Sequence, residues 1–196
     1  MELTFKDETK GTYKPLQFHI HAPSEHALNG ELFDLEMHIV HQSADGELAV
    51  LGFFFTADND TESPFLADLL AKIPSANGVA LDDLDLKDLL DDNIAGHFFS
   101  YDGSLTTPPC TEGVKWTVVE NAIDMSVAQK KVFDDYYKEN PSFAGGKGNN
   151  RALQALNARV LIEGWEGEGD GHHDHSGATY LGAAGAALVA LAALSW

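Results

Sequence analysis

"QFHIHAPSEH", residues 17–26, sets two histidines two positions apart and follows them with a Glu-His pair. In an extended strand alternate residues share a face, so Gln17, His19 and His21 project together while Phe18 and Ile20 point the other way. A polar strand face has simpler choices than imidazole, which titrates near neutrality and binds metals. A second run, "LEMHIVHQ" (35–42), repeats the alternation, with Glu36, His38 and Val40 on one face and Met37, Ile39 and His41 on the other. If the two strands pair, His38 meets His19 and His21. Three neutral imidazoles bind zinc and leave a fourth tetrahedral position open, the arrangement of a catalytic site. Gln17 and Glu36 each stand two residues ahead of a histidine on its own face, where they are suited to accept its second N–H. Solvated strand histidines would explain any one of the three well, and the whole set poorly.

The spacing His19-x-His21-x-x-x-Glu25 also occurs in cupin barrels. Their flanking glycines would fall on Tyr13 and Leu32, and their second motif, with Pro-x-Gly shortly before a later histidine, is absent ahead of His38. The rest of the chain reads as mainly β. "LQFHIH" (16–21), "LEMHIVHQ" (35–42), "LAVLGFFFTA" (48–57), "GHFFSYDG" (96–103), "GVKWTVVE" (113–120) and "ARVLIE" (158–163) are rich in branched and aromatic residues, with Gly, Asp and Asn between them. Helices are expected at 63–73 and at 126–140, the second opening on a cap-like Ser126 and stopping before Pro141, with a short helical turn over 81–90. The connections are short, which favours antiparallel pairing.

The 196 residues allow one domain with a sizeable core. A net charge of −19 argues against nucleic acid or an acidic membrane surface as partner, since both are polyanions. Cys110 is the one cysteine, so neither an internal disulfide nor a cysteine-based zinc cluster is open to the chain. "MELTFKDETKG" lacks the basic and apolar regions of a secretory signal. The organisation expected is a folded domain over 1–163, a Gly-, acid- and His-rich spacer over 164–179, and an apolar tail over 180–196. The cluster Gly169–Gly171, a polar spacer and that tail fit a signal for a lipid (GPI) anchor, with a membrane tail as the alternative. The spacer tract "HHDH" (172–175) reads as solvated.

The stretch "SYDGSLTTPPCTEGVKWTVVE" (100–120), with "QFHIHAPSEH", "ELFDLEMHIVHQ", "ELAVLGFFF" and "NNRALQALNARV", closely resembles the α-class carbonic anhydrases from about Gly11 to Glu163. The resemblance implies a large, twisted, mostly antiparallel sheet with peripheral helices and a zinc ion at the bottom of a cleft. It implies His19, His21 and His38 as zinc ligands, Gln17, Glu36 and the backbone of Asn149 as the groups orienting them, and Thr106 with Glu25 as the pair orienting the zinc-bound group. An apolar wall of Val40, Val50, Leu105, Val114 and Trp116, with Thr107 near the bicarbonate, would receive carbon dioxide. The implied reaction is zinc-dependent, reversible hydration of carbon dioxide to bicarbonate and a proton.

Family members carry a segment ahead of the position of Gly11, with a proton-shuttling histidine, further strands and, in secreted members, a cysteine that pairs with the position of Cys110. The expectation is therefore of a chain incomplete at its N-terminus. Its place would be the extracellular face of the plasma membrane or the secretory pathway if that missing part carries a signal peptide. A carbonic-anhydrase-like cell-surface binding module without catalysis is the alternative. Such relatives usually lose a zinc histidine, and here all three are present.

Overall fold

The computed structural model describes residues 3–4, 12–58, 61–72, 86, 89, 96–166, 179–180 and 190–193. Its strands are β1 (Leu3–Thr4), β2 (Thr12–His21), β3 (His26–Leu28), β4 (Glu31–Leu32), β5 (Leu35–Ser43), β6 (Leu48–Asp58), β7 (Gly96–Ser104), β8 (Glu112–Val119), β9 (Ile123–Ser126), β10 (Ala152–Gln154), β11 (Ile162–Glu166), β12 (Thr179–Tyr180) and β13 (Ala190–Ala193). Among the described residues they are accompanied by helices α1 (Pro64–Lys72) and α2 (Val127–Glu139). The main sheet runs β1-β2-β5-β6-β8-β7-β11-β12, with β9 added beside β6. Neighbours in it are antiparallel except for β6–β8 and β6–β9, which are parallel. The long connection that leaves β6 through α1 permits those parallel pairings, which a hairpin could not make. A smaller sheet runs β10-β13-β3-β4. The fold is mainly β, as the strand pattern implies.

The alternation of β2, β5 and β6 sorts their residues onto two faces. Phe18, Ile20, Met37, Ile39, Leu51, Phe53 and Phe55 pack on one side with Phe65, Leu66 and Leu69 of α1 and Phe133 and Tyr137 of α2. Val40, Val50 and Phe54 face the other way, with Tyr101, Val114, Trp116 and Val118. Helix α2 starts at Ser126, whose hydroxyl accepts from Gln129 N while the Gln129 side chain accepts from Ser126 N. Gln129 also bonds both backbone groups of Ser63 at the entry to α1, so one buried amide ties the two helix starts together.

Differences from the sequence reading are local. The strand expected at 158–163 begins only at Ile162. Arg159 closes a turn onto Leu156 and spends its guanidinium on the carbonyls of Ala155 and Leu156, which leaves this stretch no free ladder. Strands β3, β4, β9 and β10 are two to four residues long, too short for a period-two pattern to register. Apart from Leu86 and Leu89, the helical turn expected over 81–90 lies outside the described residues. So do most of the spacer and most of the apolar tail, apart from the residues placed in β11, β12 and β13. Among the described residues, no helix is long and apolar enough to cross a membrane.

Candidate metal centre

The centre rests on the register of two strands. At the start of β2, Pro15 stands opposite His41 of β5, but after a bulge Gln17 stands opposite Val40 and His19 opposite His38. Leu16, 53% exposed, is the residue left over. Without that extra residue His38 would face Phe18, because a one-residue slip exchanges the two faces of a strand. The bulge thus keeps apolar residues on the helix-covered face and all three histidines on the other.

One ring nitrogen from each of His19, His21 and His38 lies within 4.8 Å of the others. Their ring centroids are 4.7–5.2 Å apart. In each ring the other nitrogen is already engaged. His19 Nδ1 is 2.8 Å from Gln17 Oε1, His38 Nε2 is 2.7 Å from Glu36 Oε1, and His21 Nδ1 is 3.4 Å from the Asn149 carbonyl. What remains is Nε2 of His19, Nε2 of His21 and Nδ1 of His38, and the last two are buried without a partner. Burial, reinforced by the neighbouring His38, pushes His19 down to about 3 and carries His21 well below its usual value. Burial also lowers His38. All three rings are therefore neutral near pH 7, the form in which imidazole donates a lone pair to a metal. Buried acceptors that face one another unpaired are costly in an empty site and satisfied by one cation.

Glu36 does more than orient one ligand. Its Oε2 accepts from the backbone N–H groups of Glu25 and His26, each at 2.8 Å, while Oε1 meets both His38 and His26 Nδ1. Burial alone would raise its pKa, but the two imidazoles hold it well below the carboxylate range. His26 then passes its Nε2 to the Tyr101 hydroxyl at 2.7 Å. Adjacency in sequence suggests Glu25 as the partner of His26. Its partners are instead Glu36 and Tyr101, which reach it from other strands. Tyr101 and Trp116 stack with their rings parallel, and a side chain on Gly103 would run into both, at 2.6 and 2.9 Å.

Glu25 lies beside the histidines. Its Oε1 is 3.3 Å from His21 Nδ1 and accepts from Arg151 N at 2.9 Å. Its Oε2 is 3.9 Å from His38 Nδ1, too far for a hydrogen bond, and neither atom has another partner. Burial pushes the Glu25 carboxyl up to about 8, against the pull of the Thr106 side chain and the Arg151 N–H. Thr106 is buried beside it, although Oε2 makes no hydrogen bond of good geometry.

The residues expected to form the apolar wall come together. Val40, Val50, Val114 and Trp116 are buried in one cluster, with Leu105 packed against it. Val50 is in register with both Val40 and Trp116, and the Trp116 ring is 4.7 Å from that of His38. Thr107 is exposed at the turn that follows Thr106. Outside the cluster and the spacer stand His41, buried on the opposite strand face, and His97, the second residue of β7, which is exposed. It stands four residues before Tyr101, about 13 Å along the strand. Sequence reasoning missed Tyr101, Ser104 and Arg151. All three are polar residues drawn into the site from distant segments, and no spacing connects them to the histidines.

Residues 1–164 match the model of the eukaryotic-type carbonic anhydrases, and the chain belongs to that family. A carbonic anhydrase of Nostoc sp. is 38% identical over 154 residues, which are 77% of this chain and 54% of that protein, so the chain spans about half the length of that relative. The solved halotolerant carbonic anhydrase from Dunaliella salina is 34% identical with a TM-score of 0.68, over 79% of this chain and 62% of its own. The Thermovibrio ammonificans α-carbonic anhydrase, solved with the inhibitor sulfanilamide, is 36% identical with a TM-score of 0.63, over 77% and 63%.

Proposed function

We propose that the chain binds zinc through His19, His21 and His38 and catalyses the reversible hydration of carbon dioxide to bicarbonate and a proton. The observation that carries this reading is the convergence of three ring nitrogens whose partner nitrogens are each held by Gln17, Asn149 or Glu36. Zinc, when bound there, supplies a water acidic enough to give hydroxide near neutral pH. The protein groups do the rest. Gln17 and Glu36 fix ring orientation, so the ligand nitrogens stay aimed at one point. Thr106 can accept from a group at that point while donating to Glu25, which turns an oxygen lone pair toward the substrate, and an aliphatic residue there could not do both. Carbon dioxide has no net charge to grip, and the cluster of Val40, Val50, Val114 and Trp116 with Leu105 offers an apolar surface beside the histidines.

The test is indicator-coupled stopped-flow measurement of carbon dioxide hydration. The zinc-loaded chain should turn over, lose activity on chelation and regain it with zinc, and His21→Ala should be inactive. Turnover that survives zinc removal, or its absence with one zinc bound, would refute the assignment.

A further inference from the structure

Three consecutive residues, Asn149, Asn150 and Arg151, run against the segment that joins His21 to Glu25. Asn149 bonds His21 and both backbone groups of Ala22, Asn150 Nδ2 donates to Ser24 O at 3.4 Å, and Arg151 N donates to Glu25 Oε1 at 2.9 Å. Gly148 permits this approach. It has φ +126°, and a side chain there would collide with the Ala22 carbonyl. The strap therefore fixes the loop carrying Glu25 through backbone and asparagine side-chain contacts.

The Arg151 side chain leaves the strap in another direction. Its Nη1 donates to Ser104 Oγ at 3.5 Å, while its Nε is buried without a partner. Ser104 is the last residue of β7 and stands two before Thr106. It is well anchored, since its carbonyl accepts from Trp116 Nε1 at 3.0 Å and its hydroxyl donates to the Leu105 carbonyl at 3.0 Å. The loop beyond is closed by Leu105 N donating to Thr111 O and Cys110 N donating to Thr107 O. A guanidinium placed for stability alone would have its buried N–H groups satisfied. This one leaves Nε unpaired and reaches the base of the loop that carries Thr106.

We propose that Arg151 is a positioning residue, whose guanidinium, through Ser104, holds the Thr106 loop against the Glu25 carboxyl group that the Arg151 N–H already anchors. Thr106 and Glu25 come from segments about 80 residues apart, and Arg151 is the residue bonded to both sides. The proposal rests on the reading of Thr106 and Glu25 as the orienting pair. Its test therefore has one arm that does not depend on turnover.

In that arm, amide hydrogen exchange is followed in the full chain. Arg151→Ala should speed exchange at the Leu105 N–H by about tenfold, the scale of one lost hydrogen bond, and leave Leu51 in the core unchanged. Arg151→Met, which keeps the aliphatic stem and removes only the guanidinium, should do the same and serves if Arg151→Ala fails to fold. The second arm is a double-mutant cycle on carbon dioxide hydration by the zinc-loaded chain. Arg151→Ala should lower kcat/KM about tenfold when Thr106 is present and less than twofold in Thr106→Val, at equal zinc content. Equal losses in both backgrounds, or unchanged exchange at Leu105, would overturn the proposal. Faster exchange at Leu105 in a chain that never turns over would refute the catalytic reading and support the positioning contact.

Discussion

The two faces of β2, β5 and β6 are built from adjacent residues of the same strands, yet they are held together by different physics. On the helix-covered face, Met37, Ile39, Phe53 and Phe55 are fully buried among other apolar side chains, and their stability comes from area removed from water. One residue along, His19, Glu36 and His38 sit among polar partners, where each neutral ring is tolerated because its second nitrogen is bonded. The first face keeps the sheet folded. The second face spends that stability on a constellation of buried polar atoms, two of which have no partner.

The largest expected effect separates the two faces by stability. Phe53→Ala should cost about 3–5 kcal/mol in urea unfolding through the lost transfer energy and the cavity left behind. Its zinc content, measured where the variant is still folded, should equal the wild type's. A variant that kept its stability but lost zinc would mean the apolar face shapes the metal centre directly.

Next is a change confined to the polar face. Thr106→Val should lower carbon dioxide hydration about 100-fold, about 2.7 kcal/mol of transition-state stabilisation, with zinc content and unfolding midpoint unchanged. Stopped-flow rates beside metal analysis decide it. Unchanged hydration would remove Thr106 from the mechanism.

The two faces of β2 and β5 are the most readable part of the sequence. Period two in residues 17–21 and 35–42 separates Phe18, Ile20, Met37 and Ile39 from the histidine-bearing face without any structure, because the pleat obliges alternate residues to part. The bulge at Leu16 was not legible, since nothing in "KPLQ" says which residue the ladder will skip. Nor were the partners of His26. Its hydrogen bonds to Glu36 and Tyr101 depend on β7 lying near β3, a pairing of segments 75 residues apart that no local pattern encodes. Thr106 and Glu25 were found through family resemblance. Arg151 was found only through its contacts, because an arginine in a loop reads as solvated until its Nη1 is seen at Ser104.

The smallest expected effect sharpens the comparison from the apolar side. His41 is buried on the same face as Met37 and Ile39, with Nδ1 2.9 Å from the Ile39 carbonyl and Nε2 unpaired. Burial lowers its pKa. The fold therefore favours the neutral ring, and the stability it contributes is complete above the unfolded value of about 6.5 and is lost as pH falls toward the lowered folded value. In urea titrations of the metal-free chain at pH 7.5 and 5.5, His41→Leu should lose less stability on acidification than the wild type. Equal losses would mean that His41 takes its proton as readily in the fold as in the unfolded chain.

The central claim is that one face of the sheet presents three histidine nitrogens to a single metal ion. It is tested most directly by zinc analysis of the full chain after exhaustive dialysis, with His172, His173 and His175 replaced by alanine in every sample so that the spacer holds no metal. One zinc per chain is expected when His19, His21 and His38 are intact and none in His38→Ala. Equal zinc in the two would contradict it.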